Sequence, residues 1–196
     1  MIKTDIILAG VGGQGILSIA AAIGYAAVKN NLYLKQAEVH GMSQRGGAVQ
    51  SNLRVSEREI FSDLIPYKQA DLILSVEPME ALRYLPYLSP NGWLVTSSNA
   101  YKNIDSYPED DMLSTRLHEV NNVITIDAEL LAKKLGSSRS SNMIMLGAGS
   151  PFIHIPAEDI RVGIRELFSN KGDEIVKLNI SAFNEGRKIA ESKIND

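Results

Sequence analysis

The chain has 196 residues, 44% of them hydrophobic and 22% charged, with a formal net charge of -3 at pH 7. That length reads as a single domain over residues 1–196, and the composition is that of an ordinary soluble globular protein. The mildly acidic balance offers no overall footprint for nucleic acid; the absence of cysteine removes disulfides, cluster thiolates and thiol nucleophiles; and His40, His118 and His154 lie too far apart in sequence for a zinc-ligand spacing, so no metal site is expected.

Met1-Ile2-Lys3-Thr4-Asp5 leads directly into a strand, Asp5–Ala9, which is short, apolar and ended by Gly10. There is no charged n-region followed by an apolar h-region and a cleavage site. No apolar run approaches the roughly 18 residues that span a bilayer. The expectation is a cytoplasmic chain with no membrane partner. Ile16, Ile19, Ala20, Ile23 and Ala27 recur at helical spacing, which predicts a helix over Ile16–Lys29, ended by Asn30-Asn31. Tyr33–Val39 reads as a second strand. Ala48–Val55 alternates Val49, Leu53 and Val55 with Gln50, Asn52 and Arg54, with Ser51 as a misfit, and reads as a half-buried strand. After the polar break Ser56-Glu57-Arg58, Glu59-Ile60-Phe61 is placed to return as its hairpin partner, which would make the sheet mixed.

Ala70–Val76 is another buried strand, and Pro78 suits the first turn of a helix carrying Met79, Leu82, Leu85 and Leu88. Ser89-Pro90-Asn91-Gly92 carries turn chemistry. Trp93–Thr96 and Val123–Ile126 read as strands, joined by a long polar connection with a short helix near Asp111 to Glu119. From Ala128 the pattern is helical: Ala128–Leu135 ending at Gly136, the apolar Asn142–Ala148, Pro156–Phe168 and Asp173–Ile194. Strands alternating with helices predict a three-layer α/β/α, Rossmann-like sheet, mostly parallel with room for an antiparallel hairpin, and a helical C-terminal segment.

Two motifs carry candidate chemistry. Gly10-Val11-Gly12-Gly13-Gln14-Gly15 matches GxGxxG between a predicted strand and a predicted helix, the context of a dinucleotide fingerprint. Its physics is a close backbone approach to an anion at a helix N-terminus. Glu38 falls near the end of the second strand, where a ribose-binding acid would sit. Two details weigh against ordinary NAD binding: Gly13 and Gln14 make an unusual loop, and Glu38 belongs to a dense polar cluster. The plainer alternative is a tight strand-to-helix turn without a ligand. The second motif, Glu38 to Gly47, crowds an acid, an imidazole, an amide, a guanidinium and three glycines into ten residues. Specific donors on a loop point to a site or an interface, against the alternative of a solvated loop. The candidate cofactor-binding or interface residues are Gly12, Gly13, Gln14, Gly15, Glu38, His40, Gly41, Gln44, Arg45, Gly46 and Gly47. No catalytic nucleophile with its base emerges. Glu77-Pro78-Met79-Glu80 follows a buried strand and reads as a helix cap with acids at the dipole, although that sheet edge is also where α/β sheets place sites. Asn142–Ala148 reads as core or subunit interface.

Taken together, these segments resemble the gamma domain of the 2-oxoacid:ferredoxin oxidoreductases, nearest to the small subunit of the indolepyruvate-oxidising members. The resemblance is carried by Gly10 to Gly15, by Glu38 to Gly47, by Ser62-Asp63-Leu64-Ile65-Pro66, by Glu77-Pro78 with Glu80 to Leu85, by Asn142-Met143 with Leu146-Gly147, and by Asn179 with Ala182-Phe183. It runs in order over nearly the whole chain, and the second of these pieces is the specific one. It implies a subunit, inactive alone, of a multi-subunit enzyme that oxidatively decarboxylates aryl 2-oxoacids to acyl-coenzyme A and reduces ferredoxin. Thiamine diphosphate, magnesium and iron–sulfur clusters would reside on a large partner subunit, with no cofactor bound by this chain alone, and this chain would complete the complex and border the coenzyme A path. Two alternatives stay open: a free-standing Rossmann-type nucleotide-binding enzyme, and the corresponding subunit of a pyruvate or 2-oxoglutarate ferredoxin oxidoreductase.

Overall fold

A computed structural model describes residues 2–41 and 46–195. Among them, strands β1 (Lys3–Val11), β2 (Tyr33–His40), β3 (Ala48–Ser56), β4 (Ala70–Ser75), β5 (Leu88–Ser97) and β6 (Val123–Ile126) form one sheet in the order β2-β3-β1-β4-β5-β6. β1, β4, β5 and β6 pair in parallel, while β3 runs antiparallel to β1 on one side and to β2 on the other. The apolar run predicted for the first strand is explained by its place: β1 is central, and every residue after Lys3 is buried. The edge strand β2 has no fully buried residue, which matches its polar sequence.

The helices are α1 (Ile16–Lys29), α2 (Pro78–Arg83), α3 (Asp110–His118), α4 (Ala128–Lys134), α5 (Ser141–Gly149), α6 (Ala157–Phe168) and α7 (Asp173–Asn195). α1, α4, α5, α6 and α7 cover one face, around Ile6, Leu8, Leu53, Leu72, Leu74, Ile144 and Phe183. The opposite face is packed by α2 and α3 around Ile7, Ile73, Ala81, Leu94 and Leu117, with Ile65 from the β3–β4 connection. This is the predicted α/β/α sandwich, with most of its helices on one side.

Two local expectations are corrected. The hairpin partner of β3 is β2, not Glu59-Ile60-Phe61, which forms no strand. Both edges of β3 are already occupied, so no ladder is open to those residues. The connection is held by side chains instead: Arg54 donates to the carbonyls of Ser62 and Leu64 at 3.0 and 3.1 Å, and Ile65 N–H donates to Asn52 Oδ1 at 3.1 Å. The second correction concerns Ser89-Pro90-Asn91-Gly92, which lies inside β5 as an irregularity. Ala70 pairs with Leu88 and Leu72 with Trp93, so the turn chemistry is spent on a bulge.

A buried charge cluster ties β1 to its neighbours. Asp5, 1% exposed, accepts from Arg54 Nε at 2.8 Å and Nη2 at 3.1 Å and pairs with Lys3 at 2.9 Å. Its backbone N–H donates to Asp71 Oδ2 at 2.8 Å. A carboxylate this deep persists because it is fully paired.

The tightest helix contact joins α5 to α7. Residues 142–149 of α5 are all buried, so this helix lies inside the molecule, as its apolar sequence predicts. A Cβ on Gly147 would overlap the carbonyl of Phe183, and a Cβ on Gly186 would overlap the carbonyl of Ile144. Each helix therefore offers a glycine to the other's backbone. Gly147→Ala and Gly186→Ala are each expected to cost about 3 kcal/mol through overpacking. Because both act on one crossing, the double variant should cost less than the sum. Urea midpoints of the three variants check this, and additive losses would show that the two contacts are independent.

Candidate functional site

The glycine turn begins where the β1–β3 ladder runs out. Val11 opposite Ala48 is the last pair in register. One step further, Gly12 N–H donates to the carbonyl of Gly47 at 2.8 Å, and Gly46 N–H donates back to that of Gly12 at 3.4 Å. The two glycine-rich segments singled out in the sequence therefore meet through backbone pairing. Gln14 closes the turn from inside: its Oε1 accepts from Val11 N–H at 2.8 Å, and its own N–H donates to Val11 O at 3.1 Å. Gly13 and Gly15 sit at φ of 100° and 82°, in the left-handed region that side chains disfavour. Gly15 caps α1, and its carbonyl accepts from Asn142 Nδ2 at 3.2 Å.

This geometry departs from a dinucleotide fingerprint. Glu38 does not lie on the strand beside β1, because β3 is inserted between them. The Gly12 N–H, which a pyrophosphate would need, is already committed to Gly47. Glu38 and His40 nevertheless face the turn across β3, pairing in register with Ser51 and Val49. They line a cleft of about 370 Å³ with Val11, Gly12, Gly13, Gly15, Ile16, Leu17 and Val49. Glu38 Oε2 is buried and has no hydrogen-bond partner among the described residues. His40 Nδ1 lies 3.0 Å from the carbonyl of Gly41. Gln44 and Arg45 fall outside the described residues.

A second cleft, of about 550 Å³, opens on the other side of the same turn. Gly13, Gln14, Gly15 and Ser18 form one wall, and Ser137, Ser138, Arg139, Ser141 and Asn142 another. Phe168, Lys171, Ile175, Leu178 and Asn179 complete it. Arg139 and Lys171 supply two cations beside hydroxyl and amide donors, a donor set suited to phosphate groups. Apart from the turn residues, none of these side chains is among the candidate site residues read from the sequence.

The connection between β5 and α3 straps over this edge of the sheet. Its anchor is Glu77, which is fully buried. Glu77 Oε2 caps α2 by accepting from Glu80 N–H at 2.8 Å, as the sequence predicts. Its Oε1 accepts from the hydroxyl of Tyr107 and from Tyr101 N–H. Asn103, on the same strap, donates through Nδ2 to the carbonyl of Gly46 at 2.5 Å, and its buried Oδ1 has no partner among the described residues. Asn103 and Tyr107 had no periodic signal to mark them. Next to this anchor, burial pushes the Glu80 carboxyl above its usual range, and a bidentate pair with Arg83 at 2.9 and 3.1 Å offsets part of that. Among the described residues, no group of three or more His, Asp or Glu is arranged to hold a metal ion, and no helix is long and apolar enough to cross a membrane.

The family model for pyruvate ferredoxin/flavodoxin oxidoreductases matches residues 5–189, and the chain belongs to that family. It is 34% identical over 189 residues to the indolepyruvate oxidoreductase subunit IorB of Methanothermobacter thermautotrophicus, covering 93% of this chain and 95% of the relative. It is 25% identical over 188 residues to the 2-oxoglutarate synthase subunit KorC of Methanothermobacter marburgensis, covering 95% and 96%. Its fold superposes with a TM-score of 0.77, at 23% identity, on the 2-oxoglutarate:ferredoxin oxidoreductase of Magnetococcus marinus, a structure with 2-oxoglutarate, coenzyme A and succinyl-CoA bound. That match takes in 98% of this chain but 32% of the solved one, so the same unit there is part of a longer polypeptide.

The strap has a pH signature. Burial, and then the bond to Glu77, hold the Tyr107 phenol well above its ordinary value. The folded state thus favours the neutral phenol, and its contribution is fully present below the unfolded pKa of about 10 and lost as pH rises past it. Tyr107→Phe is expected to cost about 2 kcal/mol at neutral pH, the worth of a hydrogen bond to a charged group. It should also flatten the fall in stability above about pH 10. Urea titrations of both proteins at neutral and alkaline pH measure this; equal alkaline slopes would show that Tyr107 does not titrate with folding.

Proposed function

We propose that this chain is the small subunit of an indolepyruvate oxidoreductase, a complex that oxidatively decarboxylates aryl 2-oxoacids. The observation that carries this is the 34% identity to IorB over nearly the full length of both chains, against 25% to KorC. In the proposed reaction the carboxylate leaves as carbon dioxide and the acyl group passes to the coenzyme A sulfur. The released electrons go to ferredoxin.

The 2-oxoacid ferredoxin oxidoreductases depend on thiamine and iron–sulfur centres, and the residues of this chain do not fit them. Cluster ligation needs thiolates, and the sequence has no cysteine. Magnesium with a thiamine diphosphate needs converging oxygen donors, and no such cluster of acids and histidines occurs among the described residues. Those groups are therefore assigned to a large partner subunit. What this chain offers is a phosphate-compatible groove: Arg139, Lys171 and the serines beside the glycine turn. In our reading this groove borders the path of coenzyme A, whose phosphates match its charge. The identity gap between the two relatives favours an aryl substrate over 2-oxoglutarate. A free-standing dinucleotide enzyme is disfavoured, because Gly12 N–H is taken and β3 separates Glu38 from β1.

Co-expression with the large subunit, followed by assay of ferredoxin or viologen reduction, tests the reading. The isolated chain should be colourless, free of stoichiometric iron and inactive. The complex should turn over indolepyruvate with coenzyme A and prefer it to 2-oxoglutarate. Arg139→Ala and Lys171→Ala should each raise the KM for coenzyme A about tenfold, near the loss of one charge-assisted hydrogen bond, with little change in the KM for the 2-oxoacid. Turnover by the isolated chain, or tight NAD binding to it, would overturn the assignment.

A further inference from the structure

We propose that β2 is the contact edge of a dimer: a second copy of this chain adds its own β2 antiparallel to it, about a two-fold axis at Gln36, and the two sheets become one. The two edges of the sheet are finished differently. At the far edge β6 has four residues, and Lys193 donates to one of its carbonyls, that of Thr125, at 2.9 Å. At the near edge β2 runs for eight residues in unbroken register with β3, without a proline or a bulge. Gly41 N–H donates to the carbonyl of Ala48, the next pair of that ladder. The odd-numbered residues of β2 therefore turn their backbone groups to β3, and Leu34, Gln36 and Glu38 turn theirs outward. Among the described residues no strand pairs with them. Residues 42–45 join Gly41 to Gly46, whose N–H donates to Gly12, and four residues at about 3.5 Å each do not reach back to Leu34 and Gln36 and return. A long, straight edge of this kind is a template for another strand. Lys35, the charge that could guard it, reaches instead to the carbonyl of Phe61 at 3.4 Å.

The sequence of β2 selects a second copy as the occupant. A two-fold axis normal to the sheet keeps the faces of both sheets aligned only when it sets a residue opposite itself. Centred on Lys35 it opposes two lysines, and centred on Glu38 two glutamates, both unfavourable. Centred on Ala37 it carries Tyr33 past the end of the strand. Centred on Gln36 it opposes no like charges and bonds the outward groups of Leu34, Gln36 and Glu38 to those of Glu38, Gln36 and Leu34 in the second copy. It also sets Tyr33 against the second copy's Val39 at each end. An aromatic on a β-branched residue is a favourable cross-strand pair, and these two are 51% and 60% exposed. The surfaces beside the edge are apolar as well. A Cβ on Gly24 would touch Leu34, so α1 rests on β2 there. Leu17, Ala21 and Val28 share that side of the helix with Gly24, at i, i+4 and i+11, and Leu17 and Val28 are 58% and 66% exposed. On the opposite face Phe61, beside Lys35, is 87% exposed. Leu17, Val28, Tyr33, Val39 and Phe61 together expose on the order of 500 Å². The strand edge brings this toward the roughly 800 Å² that each partner of a stable pair buries.

The test uses the full chain, alone and with the large subunit, and a sequence free of cysteine makes it direct. Mild oxidation should trap Gln36→Cys as a disulfide-linked dimer, because residues in a bonded antiparallel pair lie about 5.5 Å apart at Cα, within disulfide reach. Lys35→Cys, whose two copies stand diagonally at about 7–8 Å, should not cross-link. Sedimentation of the wild-type chain at micromolar concentration should show a dimer. Gln36→Pro removes an outward N–H and no bond to β3, so that variant should sediment as a monomer. Ala21→Arg, on the exposed side of α1, should raise the dimer Kd at least about tenfold with an unchanged melting temperature. It decides the question if Gln36→Pro does not fold. A wild-type chain that is monomeric both alone and within the complex overturns the proposal, and so does a Gln36→Cys chain that does not cross-link. If the large subunit dissociates the dimer and Gln36→Pro abolishes its binding, the edge belongs to the large subunit; the proposal falls and the subunit reading stands. If the dimer forms and the large subunit does not bind, the subunit reading falls alone.

Discussion

The antiparallel insertion of β3 between β1 and β2 is the constraint from which the rest of this sheet edge follows. It makes β2 and β3 a hairpin in which the start of β3, with Gly46 and Gly47 before it, lies beside the end of β1. The ladder then runs on past its last registered pair, and Gly12 meets Gly46 and Gly47 through backbone alone. A sheet with β2 directly beside β1 would leave the amides of the glycine turn free for an anion, as in dinucleotide-binding folds. Here one of them is consumed by the protein itself. The same fingerprint of glycines thus serves a different purpose: it lets two chain segments approach closely enough to bond, and it leaves clefts on both sides.

Holding that arrangement requires carboxylates buried deep in the molecule, and Glu77 and Asp5 are each satisfied by donors around them. Glu77 collects the Glu80 N–H, the Tyr101 N–H and the Tyr107 hydroxyl, so a carboxylate with no solvent contact still has donors around it. Its bonds fasten the long connection that carries Asn103, and Asn103 in turn reaches Gly46. Asp5 does the same for β1, with Arg54 extending from that pair to the β3–β4 connection. Both acids join a strand or helix end to an irregular segment. In each case the side chain supplies the order that a ladder would otherwise provide.

Much of the fold was legible because burial writes itself into the pattern of side chains. β1, β4 and β6 are apolar runs, and α1, α3, α4, α5, α6 and α7 fall within a residue or two of their predicted bounds. What periodicity does not encode is which strand pairs with which. Glu59-Ile60-Phe61 has the composition of a strand, yet β3 has no free edge to offer it. Ser89 to Gly92 has the chemistry of a turn, and local preference is overridden by the pairing of Leu88 and Trp93 on either side. The site was half legible. Its glycines and Glu38 stood out by density and spacing. Asn103, Tyr107, Arg139 and Lys171 did not, since each is a common polar residue in a polar stretch and gains meaning only from what the fold brings near it.

The glycine turn is the shared wall of two clefts with opposite demands. On one side Glu38 lies among apolar groups; on the other Arg139 and Lys171 face serines and amides. Gly13 and Gly15 line both. At Gly13 a Cβ would meet nothing within 4 Å, so its identity is set by the left-handed backbone and not by crowding. At Gly15 both reasons apply, because a Cβ would also overlap the side chain of Asn142. A turn without side chains can separate an acidic cleft from a cationic groove by little more than the thickness of a backbone. Any side chain there would have to enter one of them. The physical sense of the motif in this chain is therefore a thin partition between a cleft that carries Glu38 and a groove that carries Arg139 and Lys171.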